Sequence, residues 1–184
     1  QTGEETYFKI KTSTRMQKVF HTYATRKGLL ESSLRFLLDG DRIKPDDTAA
    51  WDLICQWVPQ FDAWSIADHV SKAAEKRITA DPSRIDTVEG WTTSENMWTR
   101  RAALVITLPW TKMNFPKPED LAIRDRVLGG AASYSTDRDW FIQQAIAWWL
   151  RDLSKHDADR SRAFLSAHGD KMKPFARKEA AKYL

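Results

Sequence analysis

Tryptophan is absent from the first fifty residues of this 184-residue chain, and cysteine is nearly absent from all of it. The single cysteine, Cys55, excludes an intramolecular disulfide framework and a Cys-based zinc site. It points to an intracellular, reducing compartment, cytoplasm or nucleus. Long apolar runs are also missing. The longest, Ala102–Trp110, holds nine residues including Thr107 and Pro109, against the roughly 20 that span a bilayer. No membrane partner is therefore expected. The opening Gln1-Thr2-Gly3-Glu4-Glu5 has no signal-peptide character. It also lacks an initiator Met, as expected of a trimmed or incompletely described chain. No charge dominates: 29 Lys+Arg face 25 Asp+Glu, a net charge of +4. That balance permits an anionic partner without demanding one. No P-loop, no Ser/His/Asp set and no metal-ligand spacing stands out. His156-Asp157-Ala158-Asp159 lacks the partners of a metal site, so no metal is expected.

What is present is unevenly distributed. All nine Trp lie in 51–184, and the secondary-structure signals change at the same place. Residues 6–11 are rich in β formers and predict a strand. Thr12-Ser13-Thr14 offers caps for a helix whose apolar face is Met16, Val19, Phe20 and Tyr23, ended by Lys27-Gly28. Leu34–Leu38 reads as a second strand, and Asp39-Gly40 as a hairpin turn into Arg42-Ile43. Everything after Trp51 reads as helix. Helices beginning near 64, 97 and 139 recur at intervals of 33 to 42 residues. That spacing predicts a helical repeat array of HEAT type, in which each helix pair buries its face by stacking on the next. Asp137 is expected to cap the helix over 139–153, and Gly129-Gly130 to stop the one over 119–129.

Three of these helices carry residues that a simple core stripe does not explain, at ~100° per residue. In the helix over 64–78, Ile66, Ala67, Val70, Ala73, Ala74 and Ile78 form the expected stripe, with Trp64 and Asp68 well off it, toward the opposite side, and four apart. In the helix over 97–109, Thr99, Arg100, Ala103 and Thr107 form the expected polar side. Arg101 lies opposite them among apolar residues, where it needs an anion, either Asp68 or a bound phosphate. In the helix over 139–153, Ile142, Ala145, Ile146, Trp149 and Leu153 form the stripe, and Trp148 sits ~130° from its centre. Trp64 and Trp148 either cover a neighbouring helix pair or form a ligand platform.

Trp64-Ser-Ile-Ala-Asp68, Asn96-Met-Trp-Thr-Arg-Arg101-Ala-Ala-Leu and Phe141-Ile-Gln-Gln-Ala-Ile-Ala-Trp148-Trp-Leu-Arg151 resemble the HEAT-like-repeat DNA alkylation repair glycosylases. The tail from Phe164-Leu165 to Arg177-Lys178-Glu179-Ala180 is similar to the end of the same family, so the resemblance covers 51–184 without that family's amino-terminal helices. It implies an α-solenoid that binds duplex DNA on a concave surface and releases N3- and N7-alkylated purines, with no metal or organic cofactor. By resemblance, Asp68 is the catalytic carboxylate, Trp64 and Trp148 are aromatic walls beside the lesion's deoxyribose, and Arg101 holds a backbone phosphate.

The first 48 residues resemble a different family. Phe8-Lys-Ile-Lys-Thr-Ser-Thr, Ser33-Leu-Arg-Phe-Leu-Leu-Asp-Gly-Asp-Arg-Ile43 and Asp47-Thr48 are similar to SUMO, the small ubiquitin-like modifier. The similarity stops short of that family's first and last strands and its Gly-Gly end, so a partial ubiquitin-like α+β segment is implied. By resemblance, Phe8, Ile10, Lys11 and Lys18 would border a groove for SUMO-interacting peptides. The expected organisation is thus a SUMO-like segment over 1–48 and a mainly α repair domain over 51–184, joined as an artificial or incompletely represented fusion in preference to a natural rearranged gene. Three functions follow: a glycosylase acting on alkylated duplex DNA, a DNA-binding repeat module without catalysis, and a SUMO-type interaction protein.

Overall fold

The computed structural model describes residues 16–28, 30, 36–38, 41–43 and 47–184. The strand expected over 6–11 and the groove residues Phe8, Ile10 and Lys11 lie outside the described residues. The chain divides into two units, Gln1–Ala50 and Trp51–Leu184.

In the first unit, helix α1 (Met16–Lys27) buries Phe20 and Ala24, four residues apart on one face. Arg26 and Lys27 place cations against the negative end of the helix dipole. Gly28 then turns the chain at φ 64°, a conformation open to glycine without cost. Strands β1 (Phe36–Leu38) and β2 (Asp41–Ile43) pair antiparallel, with Phe36 opposite Ile43. Lys18 is exposed on α1.

The second unit is helical. After α2 (Thr48–Trp57), whose first turn carries the unit boundary, come α3 (Trp64–Ala80), α4 (Ile85–Gly90), α5 (Met97–Val105), α6 (Pro118–Ser133), α7 (Trp140–Ser154), α8 (Ala158–His168) and α9 (Pro174–Ala180). The starts are set by local chemistry. Asn96 accepts the Trp98 amide at 2.9 Å and donates its own amide to the carbonyls of Pro59 and Phe61. It thereby caps α5 and fixes that end to the loop before α3. Pro118 and Pro174 occupy first helical positions, where no N–H is needed. The cap of α7 is Asp139, which accepts the Phe141 amide at 2.7 Å, while Asp137 instead accepts the Asp139 amide. The expected cap was therefore two residues early: both carboxylates are used, in sequence.

Packing sorts the helices into two rows. One runs α3 on α5, α5 on α7, α7 on α9; the other runs α4 on α6 and α6 on α8. Helix α7 is the centre of the core. Ile142, Ala145, Ile146, Trp149, Leu150 and Leu153 are all buried, and the Trp149 indole N–H donates to the Thr107 hydroxyl at 3.2 Å. Arg–Asp pairs cross between helices at similar sequence separations: Arg101–Asp68 and Arg124–Asp157 span 33 residues, Arg160–Asp125 spans 35, and Arg100–Asp137 spans 37. The Arg160 hydrogen bond holds the Asp125 carboxyl below its ordinary value.

Three further sequence expectations are corrected. The buried stripe of α3 is Ala67, Ser71, Ala74 and Ile78, whereas Ile66 is 51% exposed and Ala73 is exposed. The core lies to the other side of Ala67, so Trp64 and Asp68 flank the stripe rather than oppose it. Helix α5 has no outer polar side. Thr99, Ala103 and Thr107 are buried, the hydroxyls donating to the carbonyls of Val58 and of Ala103 and Leu104. A helix with neighbours on both flanks buries its polar residues by satisfying them on backbone. Finally, α6 runs through Gly129 and Gly130 to Ser133. A Cβ at Gly130 would meet the Thr92 methyl at 3.4 Å, whereas at Gly129 it would meet nothing within 4 Å. Gly129→Ala is therefore expected to stabilise the protein by about 0.5–1 kcal/mol, read by urea denaturation with an unchanged slope.

Candidate functional site

Helices α3, α5 and α7 each contribute to one cluster. Asp68 lies on α3, one turn after Trp64. Arg101 lies on α5, buried, with its side chain only 2% exposed. Its Nε and Nη2 both donate to Asp68 Oδ1, at 3.3 and 3.2 Å, and Nη2 also reaches Oδ2 at 3.2 Å. Its Nη1 donates to the Phe141 carbonyl on α7 at 2.9 Å. The guanidinium carbon stands 5.1 Å from the Trp148 ring centroid and 5.6 Å from that of Phe141. Of the two anions anticipated for Arg101, the one it meets here is the carboxylate.

The asymmetry of the pair matters. Arg101 is enclosed by two rings, a carbonyl and a carboxylate. Asp68 keeps 30% of its side chain exposed. A carboxylate held by a planar fork cannot rotate freely, yet it keeps lone pairs that Arg101 does not use and stays partly open to solvent. Such a group can stabilise a developing positive charge or orient a water. Trp64 is 57% exposed and Trp148 half-buried. The structure thus brings Asp68, Arg101 and Trp148 together through direct contacts, and sets Trp64 beside Asp68 by helical spacing alone. Lys18 belongs to the other unit.

Sequence reasoning missed the Phe141 carbonyl as the third anchor of Arg101, since every residue carries a carbonyl. It also missed a line of rings on the same helices. Trp98 lies 4.7 Å from Phe141, Phe141 5.1 Å from Trp140, and Trp140 stacks on Phe175 at 5.9 Å and 22°. A signal existed: α3, α5, α7 and α9 each carry an aromatic residue at their first or second position. Cys55 is free, and burial, aided by the Asp52 charge, pushes its thiol up, away from nucleophilic use. Among the described residues, no three metal-ligating side chains gather.

The family described as DNA alkylation repair enzyme matches residues 36–184. The chain belongs to that family. A solved structure titled a predicted DNA alkylation repair enzyme from Enterococcus faecalis superposes with a TM-score of 0.56 at 24% identity, over 77% of this chain and 70% of that one, and shares its fold. The family described as ubiquitin-2 like Rad60 SUMO-like matches residues 1–51. The Schizosaccharomyces pombe ubiquitin-like protein pmt3/smt3 is 48% identical over 50 residues, 27% of this chain and 43% of that protein. The Caenorhabditis elegans small ubiquitin-related modifier is 48% identical over 48 residues, 26% of this chain and 53% of that protein. The chain spans about half the length of the curated relatives it matches. This alkylation repair family member thus carries a SUMO-like amino-terminal segment, and the hairpin β1–β2 falls in both matched ranges.

Proposed function

We propose that the second unit is a DNA glycosylase of HEAT-like repeat architecture, which hydrolyses the N-glycosidic bond of cationic N3- and N7-alkylpurines in duplex DNA. The observation that carries this reading is the partly exposed Asp68 carboxylate locked by buried Arg101 on adjacent helices of a repair-family fold. The two rows of helices, tied by Arg–Asp pairs at similar sequence separations, support the solenoid.

The chemistry suits this site. An alkylated purine already carries a positive charge. When its bond to the sugar breaks, the electron pair leaves with the base and neutralises it. The positive charge moves to the deoxyribose as an oxocarbenium-like ion. Asp68 faces that ion, and water attacking the sugar carbon gives up a proton toward the carboxylate. Trp64 and Trp148 offer π faces to a cationic sugar, each contact worth ~0.5–2 kcal/mol. The lesion need not enter a deep pocket, because only the sugar has to meet the carboxylate. No step calls on a metal or organic cofactor.

The SUMO-like amino-terminal segment supports a separate partner class, short hydrophobic SUMO-interacting peptides, with exposed Lys18 as one contact. A reducing intracellular compartment, where Cys55 stays a thiol, suits both parts.

The test is release of 7-methylguanine from methylated duplex DNA, together with duplex binding across a salt series. Release well above the protein-free control is expected. Binding should weaken steeply with salt, as phosphate contacts displace counterions. Salt-sensitive binding without release would leave a DNA-binding module and remove the enzyme.

A further inference from the structure

We infer that Trp140 and Phe175 form a second nucleic-acid contact, a ledge that stacks the bases of a single-stranded segment continuous with the bound duplex. The inference rests on the duplex-DNA reading above and adds a surface that the glycosylase chemistry does not use.

The two rings open α7 and α9 and stack on each other, yet Trp140 keeps 48% and Phe175 38% of its surface exposed. Large rings normally lose most of their surface to the core, so a stacked pair left open is an available platform. The ledge is continuous with the candidate site. Trp140 meets the edge of Phe141, and Phe141 lies under the Arg101 guanidinium. A strand advancing about 3.4 Å per nucleotide covers that path in roughly five steps.

Charge selects the occupant. Arg138 and Lys173 flank the two rings in the chain, and Lys178 lies one turn after Phe175. Among the described residues, none of these three side chains has an ion pair or hydrogen bond. The neighbouring carboxylates are already engaged: Asp137 with Arg100, Asp139 with the Phe141 amide, Asp170 with Arg177, and Glu179 with Arg151. Arg138, Lys173 and Lys178 therefore have no ion-pair partner among the described residues, and Asp139, whose side chain accepts its only hydrogen bond from an amide, is the one nearby carboxylate there without a cation. Part-exposed rings with three unpaired cations close to them in the chain match a nucleotide strand, which presents bases and phosphates together. An apolar protein segment would satisfy the rings and leave the cations unused.

The experiment measures fluorescence anisotropy with three unmodified DNAs of one sequence: a blunt duplex, and the same duplex with a single-stranded extension of about six nucleotides at either the 3′ or the 5′ end. One extended duplex is expected to bind about five- to fifty-fold tighter than the blunt form, and the end that gains gives the strand polarity. Phe175→Ala and Trp140→Ala should each cut that gain to below about two-fold while blunt-duplex affinity holds. Arg138→Ala, a surface change with no packing role, should cut it several-fold and flatten its salt dependence. Blunt-duplex binding with no gain from either extension overturns the ledge and leaves the glycosylase reading standing. A gain that survives Trp140→Ala and Phe175→Ala, with the variants folded by circular dichroism, also overturns it. Failure to bind any of the three DNAs overturns both readings.

Discussion

Asp68→Asn is expected to lower single-turnover release of 7-methylguanine by about 10²–10³-fold, with duplex affinity changed far less. The magnitude follows from removing one preorganised charged group that faces a developing charge, about 2.7–4 kcal/mol of transition-state stabilisation. An amide keeps the shape of the carboxylate but not its charge, and a neutral group answers an oxocarbenium ion poorly. Affinity should hold, because Asp68 repels phosphate rather than binding it. One structural consequence travels with the substitution. Arg101 has only 2% of its side chain exposed, and its fork loses its charged acceptor. An amide nitrogen facing the guanidinium leaves donors opposed, so a fall in stability of about 1–3 kcal/mol is expected. Release is therefore compared well below the melting temperature of the variant, with folding confirmed by near-ultraviolet circular dichroism. Equal release from both proteins, above the protein-free control, would take Asp68 out of the mechanism.

The same cluster shows where the sequence was informative. Arg101 stood out as a guanidinium among apolar neighbours, and Trp148 because it broke the strong pattern of α7, all five of whose apolar positions expected at its core are buried. Helix α3 was harder. Its buried stripe contains two alanines and Ser71, and its exposed face includes Ile66. Small residues admit a close neighbour whatever their polarity, so hydropathy does not rank them. Helix α5 lies between α3 and α7, and amphipathic reasoning has no outer face to find there. Gly129-Gly130 carried the composition of a stop signal, but both glycines have helical backbone within α6, and a Cβ at Gly130 would only touch the Thr92 methyl. The hydrogen bond from Arg101 to the Phe141 carbonyl, on which the orientation of the guanidinium depends, leaves no trace in residue identity. Pairing is legible where a charge interrupts an apolar face; the backbone's contribution is legible only in three dimensions.

Arg101→Lys separates two roles for the arginine that predict opposite readouts. A phosphate clamp would contribute to affinity and to its salt dependence. Losing one phosphate contact would weaken binding across sequences and reduce the slope of log affinity against log salt by about one. A positioning residue would leave both unchanged and slow the chemical step. The geometry favours positioning. The guanidinium is enclosed by Trp148 and Phe141, its Nε and Nη2 hold Asp68, and its Nη1 holds a carbonyl. Lysine keeps the charge but loses the planar fork, so it cannot grip both carboxylate oxygens and the Phe141 carbonyl together. Single-turnover release is expected to fall about 10–100-fold with an unchanged salt slope, since a small misplacement of the reacting group is enough for that loss. Arg101→Ala should go further. It empties the space between two rings, removes contacts worth ~0.5–2 kcal/mol each with the aromatic faces, and strands a carbonyl. A stability loss of about 3–5 kcal/mol is expected in urea denaturation, as for large core truncations. A salt slope reduced by one in Arg101→Lys, with an intact single-turnover rate, would return this arginine to the phosphate and leave Asp68 to be oriented by helix α3 alone.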